Sequence, residues 1–204
     1  MLQKLFSNLL TGYTGDRAVV DRFWHELVLH YNGKKRYYHN LTHIEHVYMN
    51  LVPFFNTAIP PEVMFAMFYH DAVYDVTRKD NEEQSTDLAH KVMTEIGVPA
   101  AIIFETESLI LATKVHEPTE DNTMNAFTDA DLCILGAGEK EYNAYLQNIR
   151  KEFSVYPDRL YNAGRKNVLQ DFLEMPRIFK TDWFYNLYER QARLNLKREH
   201  SLLG

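Results

Sequence analysis

Cys133 is the only cysteine among 204 residues. That excludes an intramolecular disulfide and any Cys-x-x-Cys or thiolate-cluster metal site. A chain without a disulfide framework fits a reducing compartment, so the expected location is cytoplasmic. Long apolar runs are missing too. No stretch approaches the roughly 20 residues of a membrane span. The opening residues Met1 to Leu10 are interrupted by Gln3, Lys4, Ser7 and Asn8, so no signal-peptide segment is expected. Basic charge is scarce: 22 Lys and Arg stand against 28 Asp and Glu, for a net charge of −6. Neither a nucleic-acid polymer nor a membrane is therefore an expected partner. The one basic run, Lys34-Lys35-Arg36, reads as a solvated loop. There is no Walker A loop, no dinucleotide-binding glycine fingerprint and no G-x-S-x-G elbow.

What is present is helical periodicity along nearly the whole chain. Val19, Val20, Phe23, Trp24, Leu27, Val28 and Tyr31 recur at steps of one, three and four, with Asp16 where an N-cap belongs. A second helix is expected over 40–56, with Leu41, Ile44, Val47, Tyr48, Leu51, Val52 and Phe55 inward. After Pro60-Pro61, the segment Glu62 to Ala72 is apolar all round until His70, which marks a helix at the centre of its domain. Asn81 caps the next helix and Gly97 ends it, and Pro99 opens another that runs to about Val115. Residues 117–125 read as a loop around Pro118. Further helices are expected over 126–135, 138–153, 157–174 and 182–202. No hairpin signal or internal repeat is visible. The expected fold is all-α, a single helical bundle over 1–204 with roughly eight to ten helices.

Chemistry concentrates at a few polar islands. His70-Asp71 interrupts the apolar run Phe65-Ala66-Met67-Phe68-Tyr69. Two metal-binding side chains there are costly to bury unless something satisfies them. Nine His and twelve Asp would produce about half a His-Asp pair by chance, so the context and not the dipeptide is informative. Upstream, His39 and His43 are spaced by one helical turn in Tyr38-His39-Asn40-Leu41-Thr42-His43. Downstream, Asp129-Ala130-Asp131 lies between apolar residues; Asp129 suits a helix start and Asp131 would face inward. Imidazole nitrogens and carboxylate oxygens suit a hard or borderline divalent ion such as Mn, Fe, Co, Ni or Mg. Glu82 and Glu83, in the first turn of their helix, are candidate proton shuttles or partners of a ligating His. Lys114 and His116, at a helix end, are candidates for a phosphate contact and for a second metal, although the helix dipole alone favours bases there.

The order His43, His70-Asp71, Asp131 resembles the HD-domain superfamily. More narrowly, the chain is similar to a bacterial group described as predicted metal-dependent HD phosphohydrolases. The matching stretches are the Tyr38–His43 segment, Tyr69-His70-Asp71-Ala72-Val73-Tyr74-Asp75, Asp80-Asn81-Glu82-Glu83-Gln84-Ser85, Leu111 to His116, Asp129 to Leu132, and Tyr188 to Asn195. The resemblance implies an all-α fold and a metal held by His43, His70, Asp71 and Asp131, with Asp129 the alternative to Asp131. The Tyr-His-Asn-x-x-His segment is also similar to that of cyclic-nucleotide phosphodiesterases, which implies that His39 donates a proton to the leaving group. Where many HD proteins carry a Gly-containing segment after His-Asp, this chain has Ala72-Val73-Tyr74-Asp75.

The function expected on this basis is hydrolysis of a small phosphorylated metabolite or nucleotide by a metal-activated water. His39, Glu82 or Glu83 would protonate the departing oxygen, and Lys114, with Arg78 or Arg165, would neutralise phosphate charge. One ion or two per site both fit, and so does a homodimer. A di-iron oxygenase on the same shell and a non-catalytic metal or nucleotide sensor are the alternative classes.

Overall fold

The computed structural model describes residues 1–203. Among them every regular element is helical and none is a strand. The chain divides into two compact units, Met1–Glu117 and Pro118–Gly204. No helix of the described residues is long and apolar enough to cross a membrane.

The first unit holds six helices: α1 (Leu2–Thr11), α2 (Arg17–Tyr31), α3 (Leu41–Phe55), α4 (Pro61–Tyr69), α5 (Asn81–Glu95) and α6 (Ala100–Ala112). Their starts follow local chemistry. The Asp16 side chain accepts from the amides of Ala18 and Val19, and that of Asn40 from Thr42. Pro61 occupies the first turn of α4, where a missing N–H costs nothing. Beyond α5, Gly97 takes φ 78° and the Val98 amide reaches the Met93 carbonyl, which closes the helix end. No helix is expected from the sequence over α1, where polar residues interrupt the apolar ones. Leu2, Phe6 and Leu10 recur every four residues and are all buried.

The hub is α4. Val63 through Tyr69 are all buried, and the helix packs against α1, α3, α5 and α6. The Phe6 ring meets Phe68 edge-on at 5.1 Å, and lies 5.6 Å from Trp24. Burying a Phe such as Phe65 or Phe68 stabilises by about 1.5–3 kcal/mol. Chain leaving the end of α4 therefore emerges from a fully buried helix, and His70-Asp71 is the dipeptide found there.

The second unit holds α7 (Asn122–Leu132), a 3₁₀ turn (Cys133–Gly136), α8 (Glu139–Glu152), α9 (Asp158–Glu174) and α10 (Asp182–Leu202). The loop expected over 117–125 is shorter than predicted. Asp121 accepts from the amides of Thr123 and Met124 and so starts α7 at Asn122. Along α10, Asn195 donates to the Leu135 and Ala137 carbonyls at 2.8 and 2.9 Å. A Cβ on Gly136 would lie 2.7 Å from Cβ of Tyr188, so only glycine admits this approach. Buried Glu199 takes the Tyr142 hydroxyl at 2.5 Å and two Arg165 bonds at 2.7 and 3.0 Å. Arg165, a sequence candidate for phosphate, is thus committed to this buried pair.

Candidate metal centre

α4 stops at Tyr69, and its last carbonyls are taken up one by one. His70 N bonds the Ala66 carbonyl at 2.8 Å, and Ala72 N bonds that of Tyr69 at 3.0 Å. The Tyr31 hydroxyl donates to the Phe68 carbonyl at 3.0 Å. The Met67 carbonyl lies 3.1 Å from Nδ1 of His70. A carbonyl only accepts, so Nδ1 carries the hydrogen and Nε2 of His70 presents a lone pair. A hydrogen bond of this kind from the far ring nitrogen also orients a metal-ligating histidine.

That Nε2 faces Nε2 of His43 at 3.1 Å. Oδ2 of Asp71 lies 3.3 Å from the His70 nitrogen and 3.5 Å from that of His43. Both imidazoles are buried and Asp71 is half-buried. Donors about 2.1 Å from a common ion are separated by roughly 3.0–3.4 Å in octahedral or tetrahedral arrangements. Two edges of the observed triangle fall in that range and the third, 3.5 Å, lies just above it; a point about 2.1 Å from all three atoms exists off its plane. The His43–His70–Asp71 group can therefore hold a metal ion. Its donor set, two nitrogens and one oxygen, matches a borderline or hard divalent cation.

The electrostatics agree. Burial pushes the Asp71 carboxyl up, but His70, His39 and His43 outweigh it and hold the group well below the usual carboxylate range. Those imidazoles lower the Asp71 pKa only while they carry a proton, so in the lone-pair form that would hold an ion it is the ion that would take their place beside Asp71.

His39 sits just before the Asn40 cap. Its ring stacks on Tyr74 at 4.1 Å and 30°, meets Tyr38 edge-on at 4.8 Å, and lies 5.8 Å from the His43 ring. Four of the sequence candidates, His39, His43, His70 and Asp71, are therefore assembled in the first unit. The stretch after Asp71 is pinned to the start of α5. Ser85 Oγ accepts from Val73 N at 3.0 Å, and Asn81 exchanges two bonds with the Asp75 main chain. Glu82 and Glu83 lie in that first turn of α5. Glu83 is ion-paired with Lys114, whose ammonium also donates to the Lys79 carbonyl at 2.9 Å. Arg78 is paired with Asp80 at 2.6 Å. The sequence candidates for phosphate in this unit are thus engaged by acids. His116, with φ 53°, follows α6 in a left-handed turn.

Asp131 lies in the second unit, half-buried near the end of α7. Asp129 does not cap the helix start, which belongs to Asp121. Its buried carboxylate accepts from Lys180 N (2.9 Å), Lys180 Nζ (3.3 Å), Thr181 N (2.8 Å) and Thr181 Oγ1 (2.9 Å). Four donors fill the carboxylate's lone-pair positions, so Asp129 is an anchor for the entry to α10 and not a ligand in waiting.

One residue near the trio escapes any sequence pattern. Arg36, from the run read as a solvated loop, is half-buried and donates to the carbonyls of His39, Asp71 and Ala72. Compared with family models, with curated proteins and with solved structures, the chain matches none.

Proposed function

We propose that this chain is a metal-dependent phosphohydrolase of the HD type, acting on a small phosphorylated metabolite or nucleotide. The observation that carries the reading is the Nε2–Nε2–Oδ2 triangle of His43, His70 and Asp71, with His39 beside it. A divalent ion at such a triangle supplies a water of near-neutral pKa and a Lewis acid for a phosphoryl oxygen. His70 is held in the ligating tautomer by Met67. The His39 ring, backed by Tyr74, is placed to hand a proton to the departing oxygen. Glu82 and Glu83 are the alternative proton donors. Lys114 contributes phosphate binding by exchanging its Glu83 partner for substrate.

The test is metal analysis of the purified chain, then a screen of nucleotides, sugar phosphates and pyrophosphate with Mn, Fe, Co, Ni and Mg. Hydrolysis that needs the metal and disappears in both His70→Ala and Asp71→Ala is the expected result. Turnover at the parent rate in either variant overturns the assignment. Oxygen uptake with a visible iron band would replace it by the oxygenase class, and tight ligand binding without turnover by the sensor.

A further inference from the structure

Arg36 joins two pieces of main chain that are far apart in sequence. Its Nη1 donates to the His39 carbonyl at 2.9 Å and to the Asp71 carbonyl at 2.6 Å; its Nη2 donates to the Ala72 carbonyl at 2.9 Å. The guanidinium carbon lies 5.1 Å from the Tyr31 ring centroid and 5.5 Å from that of Tyr74. Tyr74 is itself stacked on His39. Arg36 therefore reaches His39 by two routes, through its carbonyl and through the ring behind its imidazole. On the other side it grips the two residues that carry the Asp71 carboxylate out of α4.

We propose that Arg36 is the positioning residue of the metal centre: it sets the separation between His39 and the Asp71 carboxylate by holding the main chain of both. The proposal rests on reading His43, His70 and Asp71 as the ligands. Its physical basis is the shape of the guanidinium. Five N–H groups in a rigid plane fix angles as well as distances, so three carbonyls held by one such plane cannot shift independently. An ammonium is a single point with rotatable donors and cannot reproduce this geometry. Arg36 touches no candidate ligand atom, so its effect on a bound ion is transmitted through main chain.

The experiment uses the full chain stripped of metal with a chelator. Mn²⁺ and Co²⁺ are titrated calorimetrically into the parent and Arg36→Lys, and the Co²⁺ absorption bands are recorded. Loss of an outer partner bonded to a ligating side chain weakens metal binding by roughly 10–100-fold; for Arg36, acting through main chain, the low end of that range is expected. That weakening is expected in Arg36→Lys, with altered Co²⁺ bands, in metal-free protein that keeps the parent's helical circular dichroism and is still folded at the titration temperature, whatever its fall in melting temperature. A purely structural Arg36 would lower the melting temperature and leave the affinity of folded protein untouched. Arg36→Gln, which still donates to one carbonyl, gives the same reading if Arg36→Lys does not fold. Parent-like affinity and Co²⁺ bands in the folded variant overturn the positioning role alone. A parent that takes up neither ion overturns the ligand assignment, and the role of Arg36 with it.

Discussion

Nε2 of His43 and Nε2 of His70 point at one another across 3.1 Å, and both rings are buried. The Met67 carbonyl fixes the hydrogen of His70 on its other nitrogen. The His43 nitrogen can therefore donate to His70, or both can present lone pairs to a cation between them and Asp71. The first arrangement is a single hydrogen bond between buried rings, net worth about 0.5–1.5 kcal/mol. The second adds two coordination bonds and neutralises Asp71.

Replacing either imidazole should therefore abolish high-affinity metal binding. His43→Gln and His70→Gln are expected to lose more than the roughly 10–100-fold that outer partners of a metal site are worth. Metal per chain after gel filtration, measured with circular dichroism to verify folding, checks this. A folded His70→Gln that retains stoichiometric metal contradicts it.

The Asp71 carboxylate makes a pH prediction with a definite sign. Burial raises its pKa, but the three imidazoles outweigh burial, so the folded value is depressed. The unfolded carboxyl titrates near about 4. Between the two values the unfolded chain binds more protons, so stability rises with pH there. The contribution is present above about pH 4 and lost as pH falls through the folded pKa. In metal-free protein, urea midpoints measured downward from that pH should fall more steeply for the parent than for Asp71→Asn. Parallel curves would show that Asp71 gains nothing from its imidazole neighbours.

Much of this arrangement is visible in the sequence, and the reasons differ element by element. α4 is legible because seven consecutive buried residues, Val63 to Tyr69, leave no polar face to confuse the period. His43, His70 and Asp71 stand out because they are polar at places where the pattern demands burial. Asp129 misleads for the same reason. It is also a buried acid in an apolar stretch, but its partners are Lys180 and Thr181, about fifty positions later. Arg36 is invisible because it binds main-chain carbonyls, which every residue carries and no sequence motif records. Lys114 and Glu83 each look available in the sequence, and it takes the fold to bring them together.

Asp129 can be separated from a metal role by stability. Its side chain is fully buried, and Lys180, which it neutralises, is nearly so. Removing one partner of a buried ion pair costs about 3–5 kcal/mol, because the remaining charge stays desolvated. Asp129→Ala should therefore lower the urea midpoint sharply with or without added metal. Unchanged stability with lost metal binding would make Asp129 a ligand instead.

Tyr31→Phe tests whether the end of α4 is held by separable contacts. The Tyr31 hydroxyl gives the buried Phe68 carbonyl its bond at 3.0 Å. Without the hydroxyl that buried carbonyl loses this donor, at a cost of about 1–3 kcal/mol. The phenyl ring keeps its face under the Arg36 guanidinium, because the cation–π contact uses the ring and not the oxygen. The hydroxyl also bonds the Asp71 main chain, so Tyr31→Phe should lower unfolding free energy and weaken Mn²⁺ binding less than Arg36→Lys does. If Tyr31→Phe instead weakens metal binding as much as Arg36→Lys does, the end of α4 moves as one block. The three carbonyl bonds of Arg36 would then have no separate hold on Asp71.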